Sequence, residues 1–558
     1  MSRKHKKTQQ KPQPPKRQNV ALEELEAIVE RSRAALPADD HATLSAAIAT
    51  LASLTQELES KQTSLDRLRR LIFGAATEKT DAVLGESGDA AGSETPVGDA
   101  TLPSQRQNKP RNKRKGHGRH GAADYPRAPR VAVAHDRLAC GDPCPIAECV
   151  GGRVYLQRKA PAVLVRITGV APLRPTVYEL ERLRCHLCGT VFTATPPEGV
   201  GEKKYDEGAA AMIALMKYGC GMPFYRLQRL ERCLAIPLPA STQWEVVREA
   251  AAAVAPAFDE LLRQAAAGDV LHNDDTGARI LSLTEEARGE ALPDDADPER
   301  SGVFTSGVVS ICEGHRVALF MTGPRHAGEN LARVLDERDP DAPPPIQMAD
   351  ALSRNAPGEH KTETANCLAH ARRKYVDVAA HFPQECRFVL ETLRKVFIAD
   401  RRTRERGMSP ARRLALHQRY SAPVMAKLEE WMTEQIKARR VEPNSGLGKA
   451  IAYMQKHWQA LTAFLRVPGA PLDNNICERA LKKSIINRKN SMFFKTLNGA
   501  QVADVFMSLI HTAELCEVEP FDYLLALQRH REAVLLDPPA WMPWNYTEAL
   551  AALAPDTS

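Results

Sequence analysis

Apolar residues recur at three different periods along this chain, and each period predicts a different element. Near the start, Leu44, Leu51, Leu58, Leu65 and Ile72 stand seven apart. Ala47, Leu54 and Leu68 follow three beyond them, and only Lys61 breaks the second register. That spacing predicts a helix with a coiled-coil seam, over a helical region of residues 20–80. From 201 to 265 the period is that of amphipathic helices, over Ala209 to Tyr218 and Phe224 to Leu234. A further helix follows Pro237-Leu238-Pro239, with Ser241-Thr242 as its cap ahead of Trp244, the pattern of a possible helix-turn-helix.

The pattern then changes. Val270-Leu271-His272-Asn273 is a short strand-like run ending in Asp274 and Asp275, and Ile346-Gln347-Met348-Ala349 is a second, ending in Asp350. Between them two β-branched runs, Val303 to Cys312 and His315 to Thr322, meet at Glu313-Gly314, a hairpin signal, and Gly328 to Leu335 reads as a helix. Residues 366–470 return to a helical, charged pattern, an all-α insertion. The segment 471–530 carries Leu472-Asp473-Asn474-Asn475-Ile476-Cys477-Glu478-Arg479. There the Asp-Asn-Asn trio caps a helix and sets Glu478 one turn in. Alone, Glu478 is equally an acid placed for the helix dipole. Residues 531–558 read as a C-terminal tail.

Strand with Asp, hairpin, helix, strand with Asp and a distant helix with Glu resembles the order of a ribonuclease-H-like core. Asp274, Asp350 and Glu478 are then candidate ligands for two Mg2+ ions, with Mn2+ a possible substitute. Such ions sit about 3.5–4 Å apart and need only a few hard oxygen donors. Asp275 competes with Asp274 for the role.

Composition adds partners to this picture. The chain has 558 residues, 43% of them hydrophobic, which allows several domains with real cores. Its net charge of +7 is modest, so clustering matters more than the total. Residues 1–19 are a basic Gln/Pro-rich tail, and 81–125 form a flexible linker whose basic part contains Lys113, Arg114, Lys115 and Arg119. Those four, with Arg479, Lys482, Arg488 and Lys489 around the acidic helix, are candidate contacts to DNA phosphates. Met1-Ser2-Arg3-Lys4 is not followed by an apolar core, and no apolar run reaches membrane-spanning length. The expectation is a cytoplasmic, nucleoid-associated protein with reduced or metal-bound cysteines. Cys185-His186-Leu187-Cys188 has the form of half a tetrahedral zinc site within a β-rich module at 126–200. Cys140, Cys144 and Cys149 compete for the other half. Cys367 and His370 also mimic a metal pair at i, i+3, but two ligands alone rarely hold zinc. His370 is expected to hydrogen-bond near the acids, with Arg372, Arg373 and Lys374 facing DNA.

Several of these landmarks together resemble the transposases of the insertion sequence 66 family. They are Leu68 to Gly74 with Glu78-Lys79, His117-Gly118-Arg119, and Cys367 to Tyr375. The strongest is Leu472 to Asn490, continuing into Gly499-Ala500 and Ser508-Leu509-Ile510. The resemblance spans residues 60 to 530. It implies a DDE transposase acting on element ends and target DNA, its acids falling on Asp274, Asp350 and Glu478. It also implies a zinc region in which a cysteine pair precedes Gly-Gly, favouring Cys144 and Cys149 ahead of Gly151-Gly152. In two places the chain departs from the family pattern. The first motif reads Asp274-Asp275-Thr276 instead of Asp-Glu-Thr. The second continues into Ala351-Leu352-Ser353-Arg354-Asn355 instead of a glycine- and tyrosine-containing stretch. A homo-oligomer through the coiled coil and accessory proteins of the same element are further implied partners. Two other classes fit the residues: a non-catalytic zinc-dependent DNA-binding regulator, and a ribonuclease-H-like nuclease without strand transfer.

Overall fold

A computed structural model describes residues 22–33, 36–48, 130–132, 137–146, 148–156, 171–184, 191–201, 203–292 and 300–553. The chain forms two compact units, residues 1–90 with 175–558, and residues 91–174. Of the heptad segment, residues 38–48 are helical and the remainder lies outside the described residues, as do the N-terminal tail and the basic run at 106–119.

The larger unit is mixed α+β, mostly helical around one mixed sheet. A short antiparallel pair, β1 (Arg182–Arg184) with β2 (Val191–Thr193), stands apart from that sheet. The sheet itself contains β3 (Val270–Gly277), β4 (Phe304–Cys312), β5 (His315–Gly323), β6 (Ile346–Ala349) and β7 (Glu363–Asn366). Their order is β5-β4-β3-β6-β7. The first three are antiparallel neighbours, whereas β6 and β7 run parallel to β3. The β4–β5 turn places Glu313 at φ 51° and Gly314 at φ 86°, two left-handed residues in a two-residue loop. That geometry matches the strand twist, which is why Glu-Gly at this point reads as a hairpin. β3 is central, so its first four residues are buried and show no alternation.

The helices used below are α1 (Leu22–Ser32), α2 (Glu207–Ala214), α3 (Phe224–Cys233), α4 (Ala240–Ala266), α5 (Ala327–Leu335), α6 (Leu368–Val378), α7 (Pro383–Glu405), α8 (Ala422–Lys437), α9 (Gly446–Lys456), α10 (Asn475–Ser491), α11 (Leu497–Leu515) and α12 (Pro520–Arg529). α4 differs from the sequence expectation. It begins at Ala240 with Pro239 at its N-cap, so Ser241 and Thr242 lie inside it and do not cap it. Its start is held instead by Gln243, whose buried amide donates to Phe224 O and Leu238 O, both at 3.1 Å. The helix runs 27 residues and buries Val247, Ala250, Val254, Ala257 and Leu261, the face of a core helix.

The helices between β7 and α10 do not form a separate core. Tyr375, Leu390, Leu393, Met432, Ile451 and Met454, from α6 to α9, pack in one cluster with Val270, Ile346 and Met348 of the sheet. The C-terminal residues also fold back: Trp541 and Met542 are buried, and the Tyr523 hydroxyl donates to Trp541 O at 3.0 Å.

β5 is an edge strand, and an unpaired edge invites association with other chains. α11 covers it. Asp504, Ser508 and Thr512, spaced four apart on α11, line up one above the other and accept the outward backbone N–H groups. Thr322 N donates to Asp504 at 2.6 Å, Phe320 N to Ser508 at 2.9 Å and Ala318 N to Thr512 at 3.0 Å. Ser508→Ala should leave the Phe320 N–H buried and unpaired, costing about 1–3 kcal/mol. Chemical denaturation of wild type and variant checks this, and unchanged stability would remove the edge-capping role.

Candidate active site

Asp274 lies on the central strand, opposite Gly307 of β4 in the antiparallel register. Asp350 follows the last residue of β6, the parallel neighbour of β3. Glu478 is in the first turn of α10. The fold thus brings together three acids that are far apart in sequence. Burial pushes the Asp274 carboxyl up to about 7, and the charges of Asp350, Asp275 and Glu478 add to the shift. These carboxylates oppose one another at a half-buried point, the electrostatic condition that a cation relieves.

α10 reaches this position through Asn474. Within the Asp-Asn-Asn trio the capping bond comes from Asp473, whose Oδ1 accepts from Asn475 N at 3.1 Å, while the Asn474 side chain at the N-cap position makes none. It is fully buried and points the other way, into the sheet. Its Nδ2 donates to Asn273 O at 3.0 Å, its Oδ1 lies 3.1 Å from His272 Nδ1, and its backbone N–H points at Cys367 Sγ, 3.2 Å away. One residue therefore ties α10 to β3 and to the start of α6. Burial lowers His272 to about 4, so its ring stays neutral near pH 7 and Nδ1 can donate to the amide. Gly307 allows the close approach. A Cβ there would sit 3.0 Å from Leu481, and Cys477 Sγ donates to Gly307 O at 3.2 Å.

Asp275 points away from this cluster, as successive residues of a strand must. Its carboxylate is almost wholly buried between His326 Nδ1 at 3.0 Å and Arg354 at 3.1 Å. Asp350 is held by Asn355, whose Nδ2 donates to its Oδ1, and by Leu352 N at 3.3 Å. Asn355 O in turn accepts from Asn273 at 2.9 Å and from Gln347 at 2.6 Å. The stretch Ala351 to Asn355, where the chain departs from the family pattern, therefore supplies a partner to each of the two aspartates. No sequence period signals those roles.

Glu478 faces His370 and Arg373 of α6, with 3.5 Å from Oε1 to His370 Nε2 and 4.0 Å from Oε2 to Arg373. Arg479, Lys482 and Lys489 are exposed along α10. Arg488 is also exposed and donates to Gly277 O at the end of β3. Asn487 and Asn490 in the same motif turn inward: Asn487 accepts from the buried Lys217 at 3.0 Å, and Asn490 donates to Gly221 O at 2.9 Å. Lys113, Arg114, Lys115 and Arg119 lie outside the described residues.

In the smaller unit, Pro143 and Arg153 form an antiparallel bridge, and Cys144 N donates to Gly152 O at 2.8 Å. Cys144 and Cys149 both crowd Gly152, where a Cβ would collide with Cys149 Sγ. Cys185 and Cys188 lie outside the described residues, between β1 and β2.

A family model described as Transposase IS66 family matches residues 203–502, a span that includes all three acids. The chain belongs to the IS66 transposase family. Similar proteins of Sinorhizobium fredii (strain NBRC 101917 / NGR234) cover it to different extents. The uncharacterized protein y4jD is 25% identical over 500 residues, 86% of this chain and 93% of the relative. The uncharacterized protein y4hP is 26% identical over 400 residues, 67% of this chain and 68% of the relative. The uncharacterized protein y4qI is 30% identical over 200 residues, 35% and 36% of the two. No helix among the described residues is long and apolar enough to cross a membrane.

The raised Asp274 carboxyl has a consequence for stability. Because the folded protein binds this proton more tightly than the unfolded chain, Asp274 contributes stability below its ordinary value of 3.8 and loses it as pH rises through about 7. In the presence of a chelator, Asp274→Asn should therefore melt above wild type at pH 8, and the advantage should vanish near pH 4. The gain is at most about 4 kcal/mol. Thermal melts across pH test this, and a variant less stable than wild type at pH 8 would contradict it.

Proposed function

We propose that this IS66-family chain is a DNA transposase of DDE type, cutting at the ends of its element and joining the exposed 3′-hydroxyl to target DNA. The observation that carries the reading is the convergence of Asp350, from the end of β6, and Glu478, from the first turn of α10, on Asp274 of the central strand, whose carboxyl their charges help to raise. The β5-β4-β3-β6-β7 order, with the last two strands parallel to β3, supports a ribonuclease-H-like core.

The donors fit Mg2+. All three are hard oxygen ligands, and Glu478 Oε1 is buried without a hydrogen-bond partner. Asp274, Asp350 and Glu478 would hold two Mg2+ ions, with Mn2+ a possible substitute. When bound, such a pair activates the attacking oxygen and stabilises the leaving one. The protein's own part is positioning. Asn355 fixes the Asp350 carboxylate, Asn474 fixes the start of α10, and the exposed Arg479, Lys482, Arg488 and Lys489 would hold DNA phosphates beside the acids. Asp275, already paired with His326 and Arg354, would serve as a structural acid.

By their spacing in the sequence, Cys144, Cys149, Cys185 and Cys188 are candidate ligands for a structural zinc ion. The basic run containing Lys113, Arg114, Lys115 and Arg119 would add DNA contacts. The heptad segment would pair two copies, and accessory proteins of the element remain candidate partners.

Asp350→Asn keeps the shape of the side chain but removes the charge that would hold a cation. Cleavage and strand transfer should fall by roughly a thousandfold, about 4 kcal/mol of barrier, while binding to element-end DNA is retained. Asp274→Asn and Glu478→Gln should behave alike. A nuclease without strand transfer would cut yet never join, and robust cleavage by all three variants would sink the mechanism. Asn474→Ala should reduce cleavage with binding kept, because α10 loses its tie to β3. Equal activity of that variant in a gel cleavage assay would show that α10 is held by other contacts.

A further inference from the structure

The pair Cys367 and His370 gains a third member in the folded protein. Cys367 Sγ, a ring nitrogen of His370 and a carboxylate oxygen of Glu478 all lie within 4.8 Å of one another. The pair was a single helical turn with too few ligands; α10 brings Glu478 to it from more than a hundred residues away.

Two independent features show that these groups are not satisfied by one another. His370 Nε2 stands 3.5 Å from Glu478 Oε1, yet Glu478 Oε1 is buried with no hydrogen-bond partner, and so is His370 Nδ1. One buried carboxylate oxygen and one buried imidazole nitrogen, each without a hydrogen-bond partner, are costly unless something else joins them. Cys367 is fully buried, its sulfur accepts the Asn474 N–H, and burial pushes its thiol up to about 11, so an ion bound there must displace the thiol proton. The other oxygen of Glu478 is steadied by Arg373.

We propose that Cys367, His370 and Glu478 form a binding site for a zinc-class transition-metal ion, separate from the aspartates. The ligand set decides the ion. Sulfur, imidazole nitrogen and one carboxylate oxygen favour Zn2+ or Co2+, whereas Mg2+ seeks oxygen alone. With bonds of about 2.0–2.3 Å, a tetrahedral ion holds its ligands roughly 3.3–3.8 Å apart, so the cluster needs to contract by about an ångström. The fourth position falls to water. Metal binding here needs no catalytic activity. Resting on the transposase reading, one consequence follows: Glu478 belongs to both sets, so zinc at this site withdraws it from Asp274 and Asp350.

The test is metal binding by the full chain, stripped by chelator and titrated with Zn2+ against a chromophoric competitor, then with Co2+ as a spectroscopic probe. Wild type should bind about one equivalent more than His370→Ala or Glu478→Gln, and excess Mg2+ should not displace it. Asp350→Asn should keep that equivalent, because Asp350 is not a ligand of this site. Cys367→Ser should lose part of the thiolate-to-cobalt absorption. If that buried variant does not fold, His370→Ala and Glu478→Gln decide, since both side chains are partly exposed. Equal zinc content in wild type and His370→Ala overturns the proposal, as does loss of the equivalent in Asp350→Asn, which would place the ion among the aspartates instead. Both results read the metal itself, so they stand whether or not the protein cleaves DNA.

Discussion

The candidate site depends on one buried amide. Asn474 joins the first turn of α10 to the central strand through Asn273 and His272, and to the start of α6 through Cys367. A buried amide left unpaired is expensive, so these bonds hold in only one arrangement of the three elements. Everything that follows in α10, including the height of Glu478 above β3, is measured from that point. The constraint is steric as well. Cys477 and Leu481 rest directly on Gly307, and any side chain there would lift the helix from the strand.

Around this joint the protein tolerates an electrostatic cost. Asp274 sits half-buried among three other acids, with its carboxyl displaced far from its ordinary range. Such a carboxylate opposes the fold it belongs to, and stability is surrendered at the place where a cation would be held. The surrounding structure compensates by being over-determined. Asn273, Gln347 and Asn355 form a buried amide network beneath the site, and Asp275 is fixed between His326 and Arg354. The exposed edge of the same sheet is closed by the Asp504, Ser508 and Thr512 ladder. The helices following β7 share one core with the sheet, so α6, which carries His370 and Arg373, is packed into the same cluster as β6.

Much of this was legible in the residues themselves, and the reason is local physics. Glu313-Gly314 announces a hairpin because a two-residue turn needs left-handed backbone, and the two strand-like runs ending in acids are visible as unbroken apolar runs meeting charge. Asp274 and Asp350 could be named because each ends such a run, and Glu478 because it lies one turn into a helix among cations. The same local reasoning made Ser241-Thr242 the cap of a helix that begins at Ala240, and it did not show that Asn474 turns into the sheet and leaves the capping to Asp473. In each case a tertiary partner, β3 for Asn474 and the Gln243 bonds for α4, outcompeted the local option. The residues at 531–558 read as a tail for lack of a period, yet Trp541 and Met542 are buried.

The sequence by itself determined the elements and their order, since these follow from backbone preference and from periodicity over a few turns, and it marked Asp274, Asp350 and Glu478 as candidates. Only the tertiary structure decided which acid of the Asp274-Asp275 pair faces the cluster, that Asn355 and Arg354 hold Asp350 and Asp275, and that Glu478 lies against Cys367 and His370. Those contacts join residues separated by tens to hundreds of positions. Their energies depend on burial, and burial exists only once the sheet and its helices have closed together.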